Sequence, residues 1–225
     1  MHSHIELNPI RIITQRLELR DIQTQDIEAI SRFLNDARVQ QYTLTDNPAF
    51  IRQQIMHAIQ SVNDSPRYCF SFSVLLKESK NLIGQLDINL SQDDFIAAIG
   101  WELNPQYWDG NQFIPPQENA VEFLDDSVAQ LGWDFDPAYW NCGYATEAVQ
   151  GAIQYAFLHL DISAILAHCF FDNTASRRVM EKNGMQQQKL TLWQQGQLQD
   201  FYQEARTILS YGLRRSSWKE KQKQR

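Results

Sequence analysis

The stretch WDFDPAYWNCGYATEAVQGAIQYAFLHL, residues 133–160, predicts how this chain folds. A short strand over residues 131–135 ends at Asp136-Pro137, and a turn of small residues around Gly143 follows. A long helix comes next, and its apolar residues recur with a period of 3.6. They are Ala145, Ala148, Val149, Ala152, Ile153, Ala156, Phe157 and Leu160. This stripe predicts that the helix packs one face against a sheet.

The turn before this helix is suited to bind an anion. The first N–H groups of a helix have no partner within it, and the helix dipole adds positive potential there. Gly143 and Ala145 keep bulky side chains away from such a ligand. The turn therefore predicts a phosphate or pyrophosphate site, although an ordinary strand-to-helix connection is the alternative when the turn is considered alone.

The segment resembles the central motif of the GNAT superfamily of N-acetyltransferases, in particular its RimJ/RimL-like branch. The matching residues are Pro137, the bulky pair Tyr139-Trp140 and the run GYATEA over residues 143–148. A second motif of the family follows as NTASRRVMEKNGM, residues 173–185. The resemblance covers about residues 10–218 and implies a single GNAT-like domain over residues 1–225.

The remaining patterns predict an α/β or α+β domain with a mixed sheet. Predicted strands cover residues 12–20, 68–76, 82–90 and 162–171, and a closing strand pair covers residues 187–194 and 202–213. Predicted helices cover residues 24–35, 48–62 and 173–183. The resemblance implies a mostly antiparallel, twisted sheet flanked by helices, with splayed central strands.

Two regions depart from this pattern. Residues 99–110 echo residues 131–143, but two prolines follow the first copy and exclude a long helix there. We interpret residues 99–130 as an insertion and only the second copy as the anion site. The basic, polar tail over residues 214–225 is expected to be largely solvated.

Bulk composition narrows the functional classes. The chain has 225 residues, 43% of them hydrophobic and 21% charged, as in soluble globular proteins. A net charge of −7 argues against broad nucleic-acid binding. The N-terminus lacks a signal-peptide pattern, no apolar run is long enough to span a membrane, and the three cysteines show no zinc-ligand spacing. We therefore expect a cytoplasmic protein, a monomer or homodimer, with no nucleic-acid, membrane or metal partner.

The resemblance implies that acetyl-CoA is the co-substrate and that the acetyl group passes directly to an amine. It assigns coenzyme contacts to the splayed strand, to the loop that follows it and to the second motif. These residues are Trp133, Asp134, Phe135, Trp140, Asn141, Cys142, Gly143, Tyr144, Ala145, Thr146, Asn173 and Ser176. Two residues depart from the family: Trp140 stands where Arg or Gln is frequent, and Asn141 replaces a glycine. Asparagine tolerates a left-handed backbone, so we expect the loop to survive.

Catalytic roles are less determined. The family match favours Ser176 as the proton donor to the leaving thiolate, although Asn173 and Ser176 also suit a plain helix cap. Asp134, Glu102 or a water chain could remove the proton of the amine. Glu147 is interpreted as a first-turn helix carboxylate, and His168 as a core histidine with satisfied hydrogen bonds.

The sequence thus predicts an acetyl-CoA-dependent N-acetyltransferase whose acceptor is a protein N-terminal amine or a small-molecule amine. Gln40, Gln41, Tyr42 and Thr43 are candidate acceptor contacts by the same resemblance. The alternative is a GNAT-fold protein that binds coenzyme A or a partner without catalysis, because the 99–130 insertion lies where it could cover the acceptor cleft.

Overall fold

The computed structural model describes residues 9–43, 47–90, 108–109, 112–113, 128–188 and 207–223. Its strands are β1 (Arg11–Ile13), β2 (Leu17–Asp21), β3 (Cys69–Leu76), β4 (Leu82–Leu90), β5 (Trp108–Asp109), β6 (Gln112–Phe113), β7 (Val128–Phe135), β8 (Ala164–Phe170), β9 (Gln186–Gln187) and β10 (Ile208–Arg214). Its helices are α1 (Ile27–Leu34), α2 (Ala37–Gln40), α3 (Pro48–Ser61), α4 (Tyr144–His159), α5 (Thr174–Lys182) and α6 (Arg215–Lys223).

Eight of these strands form one sheet in the order β1-β2-β3-β4-β7-β8-β10-β9, while β5 and β6 pair separately. Neighbours in the large sheet are antiparallel except β7 and β8, which are parallel. Parallel neighbours need a crossover connection, and α4 provides it. The predicted mixed, mostly antiparallel sheet flanked by helices is confirmed.

The two parallel strands separate soon after they meet. Only Val128, Ala129 and Gln130 of β7 pair with β8, opposite the residues 164–166. Beyond this point β7 stays paired with β4 as far as Phe135, and β8 stays paired with β10 as far as Phe170. A gap therefore opens between the carboxyl-terminal halves of β7 and β8, as the predicted splay of the central strands requires.

Helix α4 covers one face of the sheet, which we call the first face. The apolar stripe of α4 packs there on strand residues such as Leu86, Leu131 and Ile165. Side chains alternate along a strand, so Asp87, Gly132, Asp134 and His168 belong to the opposite, second face. The long helix of the sequence motif thus packs as its period predicts.

Helices α1 and α3 share a second hydrophobic core. Its buried members are Ile22, Ile27, Ile30, Phe33, Leu34, Val39, Ile51 and Ile55. Asp26, just before α1, accepts a 2.7 Å hydrogen bond from Ser73 on the second face and is paired with Arg20 at 2.7 Å. These bonds hold the start of α1 on the second face. Trp140 packs against both cores, so the loop before α4 contacts each of them.

The prediction of one strand over residues 12–20 is wrong. The chain reverses between β1 and β2, which pair antiparallel. Thr14 causes the reversal, because its Oγ1 accepts the N–H of Leu17 at 3.1 Å and its own N–H donates to the carbonyl of Leu17 at 3.0 Å. The alternating pattern continues through this turn, and for that reason periodicity did not reveal it.

Two further boundaries differ from the prediction. Strand β7 begins at Val128, three residues inside the stretch 99–130 that we interpreted as an insertion. Residues 215–223 of the tail form a helix, α6, that was not predicted, but none of its residues is buried, as expected of a largely solvated tail. The ring of Trp218 lies 5.4 Å from that of Phe157, between centroids, which holds α6 against the end of α4. Most of the insertion, and residues 189–206, lie outside the described residues.

Two strand glycines provide a test of this packing. A Cβ on Gly84 would lie 2.7 Å from the carbonyl oxygen of Asp134, whereas a Cβ on Gly132 would meet no atom within 4 Å. We expect Gly84→Ala to lower the free energy of unfolding by about 1–3 kcal/mol. Gly132→Ala should change it by less than about 1 kcal/mol. Urea denaturation followed by tryptophan fluorescence checks both, and equal losses would contradict the described contact between β4 and β7.

Candidate active site

Two helices begin at the same edge of the sheet. Helix α4 follows β7 through residues 136–143, and α5 follows β8 through residues 171–173. Because β7 and β8 are parallel, their carboxyl ends lie side by side, and the gap opens between them at this edge. Both helix N-termini, with their positive dipole ends, are therefore placed next to the gap.

The loop before α4 has a special backbone. Asn141 has φ of 61° and Gly143 has φ of 79°, so both residues are in the left-handed region. The left-handed Asn141 agrees with the expectation from its side chain. The N–H groups of residues 141–146 have no acceptor among the described residues. The next N–H group along the chain, that of Glu147, donates to the carbonyl oxygen of Gly143 at 3.1 Å. Six consecutive backbone donors are thus available to one ligand, and we call residues 141–146 the amide loop.

The carbonyl groups of the amide loop are tied back from two sides. Arg16 donates from Nη1 to the carbonyl oxygen of Cys142 at 3.1 Å, and Asn183 donates from Nδ2 to that of Thr146 at 3.2 Å. The indole N–H of Trp140 donates to the carbonyl of Phe135 at 2.7 Å. The bonds from Arg16 and Asn183 hold the loop through two of its carbonyl oxygens, while its N–H groups have no acceptor within the part of the chain that the structure describes.

Glu147 joins α4 to the turn between β1 and β2. Its carboxylate accepts hydrogen bonds from Thr14 Oγ1 at 2.6 Å, from the backbone N–H of Arg16 at 2.6 Å and from Arg16 Nε at 2.7 Å. Burial alone would raise the pKa of Glu147, but these hydrogen bonds and the Arg16 charge outweigh it and lower the pKa below its usual value. A carboxylate held this way braces the helix start and is a poor proton acceptor.

Backbone groups of β7 face the gap at alternate residues. The backbone N–H of Asp136 donates to the carbonyl oxygen of Ile83 at 2.9 Å. Because backbone groups alternate between the two sides of a strand, Asp134 and Asp136 both direct theirs to β4. Trp133 and Phe135 direct theirs to the gap. The Phe135 carbonyl is taken by Trp140, whereas the N–H of Phe135 and both groups of Trp133 have no partner among the described residues. Of the predicted strand contacts, Trp133 and Phe135 can thus offer backbone bonds, and Asp134 can offer only its side chain.

Two carboxylates lie together on the second face. Asp87 stands directly opposite Gly132 in the β4–β7 pair, and Asp134 is two residues further along β7. Burial, reinforced by the Asp134 charge, raises the pKa of Asp87 to about 6. Burial also raises the pKa of Asp134, although Gln85 donates to its Oδ2 at 3.1 Å. The open space above Gly132 leaves room for a ligand beside this pair.

His168 differs from its prediction. It lies on β8, on the second face, across the gap from Gly132 and Asp134. Both ring nitrogens are buried and have no hydrogen-bond partner among the described residues, so the prediction of a satisfied core histidine is wrong. Burial lowers the pKa of His168 to about 4, so the imidazole is neutral at pH 7.

Asn173 and Ser176 lie at the start of α5. The Oδ1 of Asn173 accepts the backbone N–H of Ser176 at 3.0 Å, which is an N-cap. The side-chain amide nitrogen of Asn173, Nδ2, and the hydroxyl of Ser176 have no hydrogen-bond partner among the described residues. Asn173 therefore caps the helix by bonding Ser176, and both residues keep a polar side-chain group available at the edge where the gap opens.

Other predicted features take simpler places. Cys142 is exposed in the amide loop, Cys69 is half-buried and Cys169 is buried. In the described part of the chain, no group of three or more His, Cys, Asp or Glu residues is arranged to hold a metal ion. No helix there is long and apolar enough to cross a bilayer. Gln40 ends α2, with Gln41, Tyr42 and Thr43 just after it, and Glu102 lies outside the described residues.

Two residues of this site were missed by sequence reasoning. Asp87 alternates with Leu86 and Ile88 and so resembles a solvent-facing strand residue. Only the register with Gly132 brings it beside Asp134. Arg16 lies 126 residues before Cys142 in the chain, and no local pattern connects them.

Comparisons with known proteins agree with this geometry. The family model described as the acetyltransferase (GNAT) domain matches residues 16–116 and 112–186. YnaD and YoaA of Bacillus subtilis (strain 168), both described as uncharacterized N-acetyltransferases, are 25% and 27% identical over 185 and 178 residues. These alignments cover 80% and 78% of this chain, and 84% and 82% of the relatives.

Solved structures share the fold. A GNAT-family acetyltransferase from Bacillus anthracis matches with a TM-score of 0.63 and 21% identity, over 92% of this chain and 99% of that one. RimJ of Mycobacterium smegmatis in complex with CoA-disulfide matches with a TM-score of 0.63 and 16% identity, over 92% and 88% of the two chains. With the family model covering most of its length, this chain belongs to the GNAT family of acetyltransferases.

Proposed function

We propose that the protein transfers an acetyl group from acetyl-CoA to a primary amine, by direct attack of the amine on the thioester within a ternary complex. The acceptor is a protein N-terminal amine or a small-molecule amine. The observation that carries the proposal is the amide loop, a run of six N–H groups at a helix start, beside a gap in the sheet, that have no acceptor among the described residues. RimJ of the same fold was solved with a coenzyme A derivative, which supports this choice of ligand.

The chain offers a separate contact for each part of the co-substrate. The amide loop suits the pyrophosphate, because its donors and the dipole of α4 favour negative charge. The backbone groups of Trp133 and Phe135 that face the gap can pair with the amides of the pantetheine arm as an added strand would. One of these N–H groups can also polarise the acetyl carbonyl, whose oxygen gains negative charge as the amine attacks.

The leaving thiolate needs a proton. In the proposal Ser176 supplies it, because its hydroxyl lies at the start of α5 and has no other partner among the described residues. A thiol has an ordinary pKa of about 8.5, so protonation makes it a better leaving group near neutral pH. The dipole of α5 also stabilises negative charge at this position.

The amine must lose a proton during the reaction. An α-amine has a pKa of about 8 and a lysine about 10.4, so either is largely protonated at pH 7. Asp134 and Asp87 lie on the second face, next to the open space above Gly132 where an amine can approach. We assign the base to this pair, with Asp87 the stronger candidate because its pKa of about 6 places it closer to the working pH.

Direct binding and turnover test the proposal. Acetyl-CoA binding is measured by calorimetry, and thiol release is measured with a panel of N-terminal peptides and small amines. Gly143→Asp places a negative charge in the amide loop, whereas Gly143→Asn is nearly isosteric and neutral. Both residues tolerate the left-handed backbone at this position.

We expect the wild type to bind acetyl-CoA, Gly143→Asn to bind it somewhat more weakly and Gly143→Asp to lose it by about a hundredfold. Equal binding by the two variants would exclude the amide loop as the pyrophosphate site. Binding without thiol release for every amine would favour the alternative of a GNAT-fold binding module. No binding by the wild type would refute the proposed function.

The Asp87 carboxyl gives a prediction with a definite sign. A carboxyl whose pKa is higher in the folded state than in the unfolded state destabilises the folded protein as the pH rises from the unfolded pKa to the folded pKa. For Asp87 this range runs from about 4 to about 6. Asp87→Asn should therefore be more stable than the wild type by about 1–3 kcal/mol at pH 7, and equally stable near pH 4. The same variant should lose turnover and the rise of kcat near pH 6.

Urea denaturation at several pH values and the pH profile of kcat measure these effects. Exposed Asp64 provides the control, because Asp64→Asn removes the same charge at the surface. Asp87→Asn with wild-type turnover would remove Asp87 as the base and leave Asp134 as the candidate of the pair.

A further inference from the structure

Arg16 lies beside the amide loop although it belongs to the turn between β1 and β2. Each part of its guanidinium has a different environment. The Nε donates to Glu147 at 2.7 Å, and Nη1 donates to the Cys142 carbonyl at 3.1 Å. The central carbon of the group lies 4.5 Å from the centre of the Tyr144 ring. Arg16 therefore touches the amide loop at Cys142 and Tyr144 and the helix α4 at Glu147, and these three contacts fix its orientation.

The third nitrogen of the guanidinium, Nη2, is available to a ligand. Nη2 has no hydrogen-bond partner among the described residues, and a Cβ built on Gly143 would lie 3.5 Å from it. It therefore stands next to the backbone of the left-handed glycine at the centre of the amide loop. The Arg16 side chain keeps 44% of its exposure, so a ligand can reach it.

The loop itself has no positive side chain. Residues 136–147 contain Asp136 and Glu147 but neither Lys nor Arg. A pyrophosphate diester carries two negative charges, and backbone donors alone provide only partial charges against them. A guanidinium with one unpaired nitrogen is well suited to a phosphate oxygen, because its donors form charge-assisted hydrogen bonds.

We infer that Arg16 is a phosphate-binding residue of the coenzyme site: Glu147 and the Cys142 carbonyl orient its guanidinium, and Nη2 donates to a phosphate oxygen. This inference rests on the proposed function, since it assumes that the amide loop holds the pyrophosphate. The ion pair with Glu147 does not remove the effect, because a fixed donor keeps its directional hydrogen bond when its net charge is balanced.

Calorimetry with acetyl-CoA tests the inference in Arg16→Gln, Arg16→Lys and Glu147→Gln. Arg11→Gln is the matched control, because Arg11 is an exposed arginine of the same hairpin that pairs with Glu18. We expect Arg16→Gln to weaken binding about tenfold and Arg11→Gln to leave it unchanged. Salt should weaken acetyl-CoA binding less steeply in Arg16→Gln than in the control, because one charged contact is missing.

S-acetylpantetheine, which lacks the pyrophosphate, distinguishes phosphate binding from general damage. Its turnover should be equal in Arg16→Gln and the wild type. Wild-type acetyl-CoA affinity in Arg16→Gln would overturn the inference and leave the proposed function intact, whereas absent binding in the wild type would refute the proposed function itself. Equal losses and an unchanged salt dependence in Arg16→Gln and Glu147→Gln would show a structural brace only, and would also overturn it. If Arg16→Gln does not fold, Arg16→Lys replaces it. Lysine keeps the charge but lacks the rigid fork that bonds Glu147, Cys142 and a phosphate oxygen together, so acetyl-CoA binding should still be weaker than in Arg11→Gln, and unchanged affinity would overturn the inference.

Discussion

The separation of β7 from β8 after three paired residues is the constraint on which the rest of the site depends. Up to Gln130 the two strands pair with each other, and beyond it each strand pairs, among the described residues, only with its outer neighbour. Trp133 and Phe135 therefore keep backbone groups directed into a gap within an otherwise continuous sheet. An unpaired strand edge is a template for another extended chain, and here it lies in the middle of the fold.

The amide loop applies the same principle at the edge of the gap. Its carbonyls are bonded by side chains from distant segments, Arg16 on one side and Asn183 on the other. Asn141 and Gly143 have left-handed backbone, and the N–H groups of the loop have no acceptor among the described residues. Polar side chains lie on the second face near the open position at Gly132, namely Asp87, Asp134 and His168, and the ring nitrogens of His168 have no partner among the described residues. The edge of the gap, the amide loop and the second face therefore all contribute polar groups that a ligand could hydrogen-bond. Without a ligand, such groups lower stability when they are buried.

Local patterns predicted what is determined locally. The stripe of α4, the cap at Asn173, the strands β3 and β4 and the left-handed Asn141 all follow from residues close together in the chain. The turn at Thr14 was not predicted because the alternation of apolar and polar residues continues through it. Asp87 was not predicted because its position beside Asp134 depends on strand register. Arg16 was not predicted because it contacts residues more than a hundred positions away in the chain. The prediction for His168 was wrong because the alternating pattern indicates on which face of the sheet a residue lies but not which hydrogen bonds its side chain makes.

The most direct test of this account is a backbone-amide NMR titration with acetyl-CoA and, separately, with S-acetylpantetheine. If the amide loop holds the pyrophosphate, acetyl-CoA gives the largest shifts and the strongest exchange protection at the amides of residues 141–146. S-acetylpantetheine should affect Trp133 and Phe135 and leave the amide loop nearly unchanged. Saturable acetyl-CoA binding that leaves the amides of residues 141–146 unaffected would contradict the central claim that this loop holds the pyrophosphate.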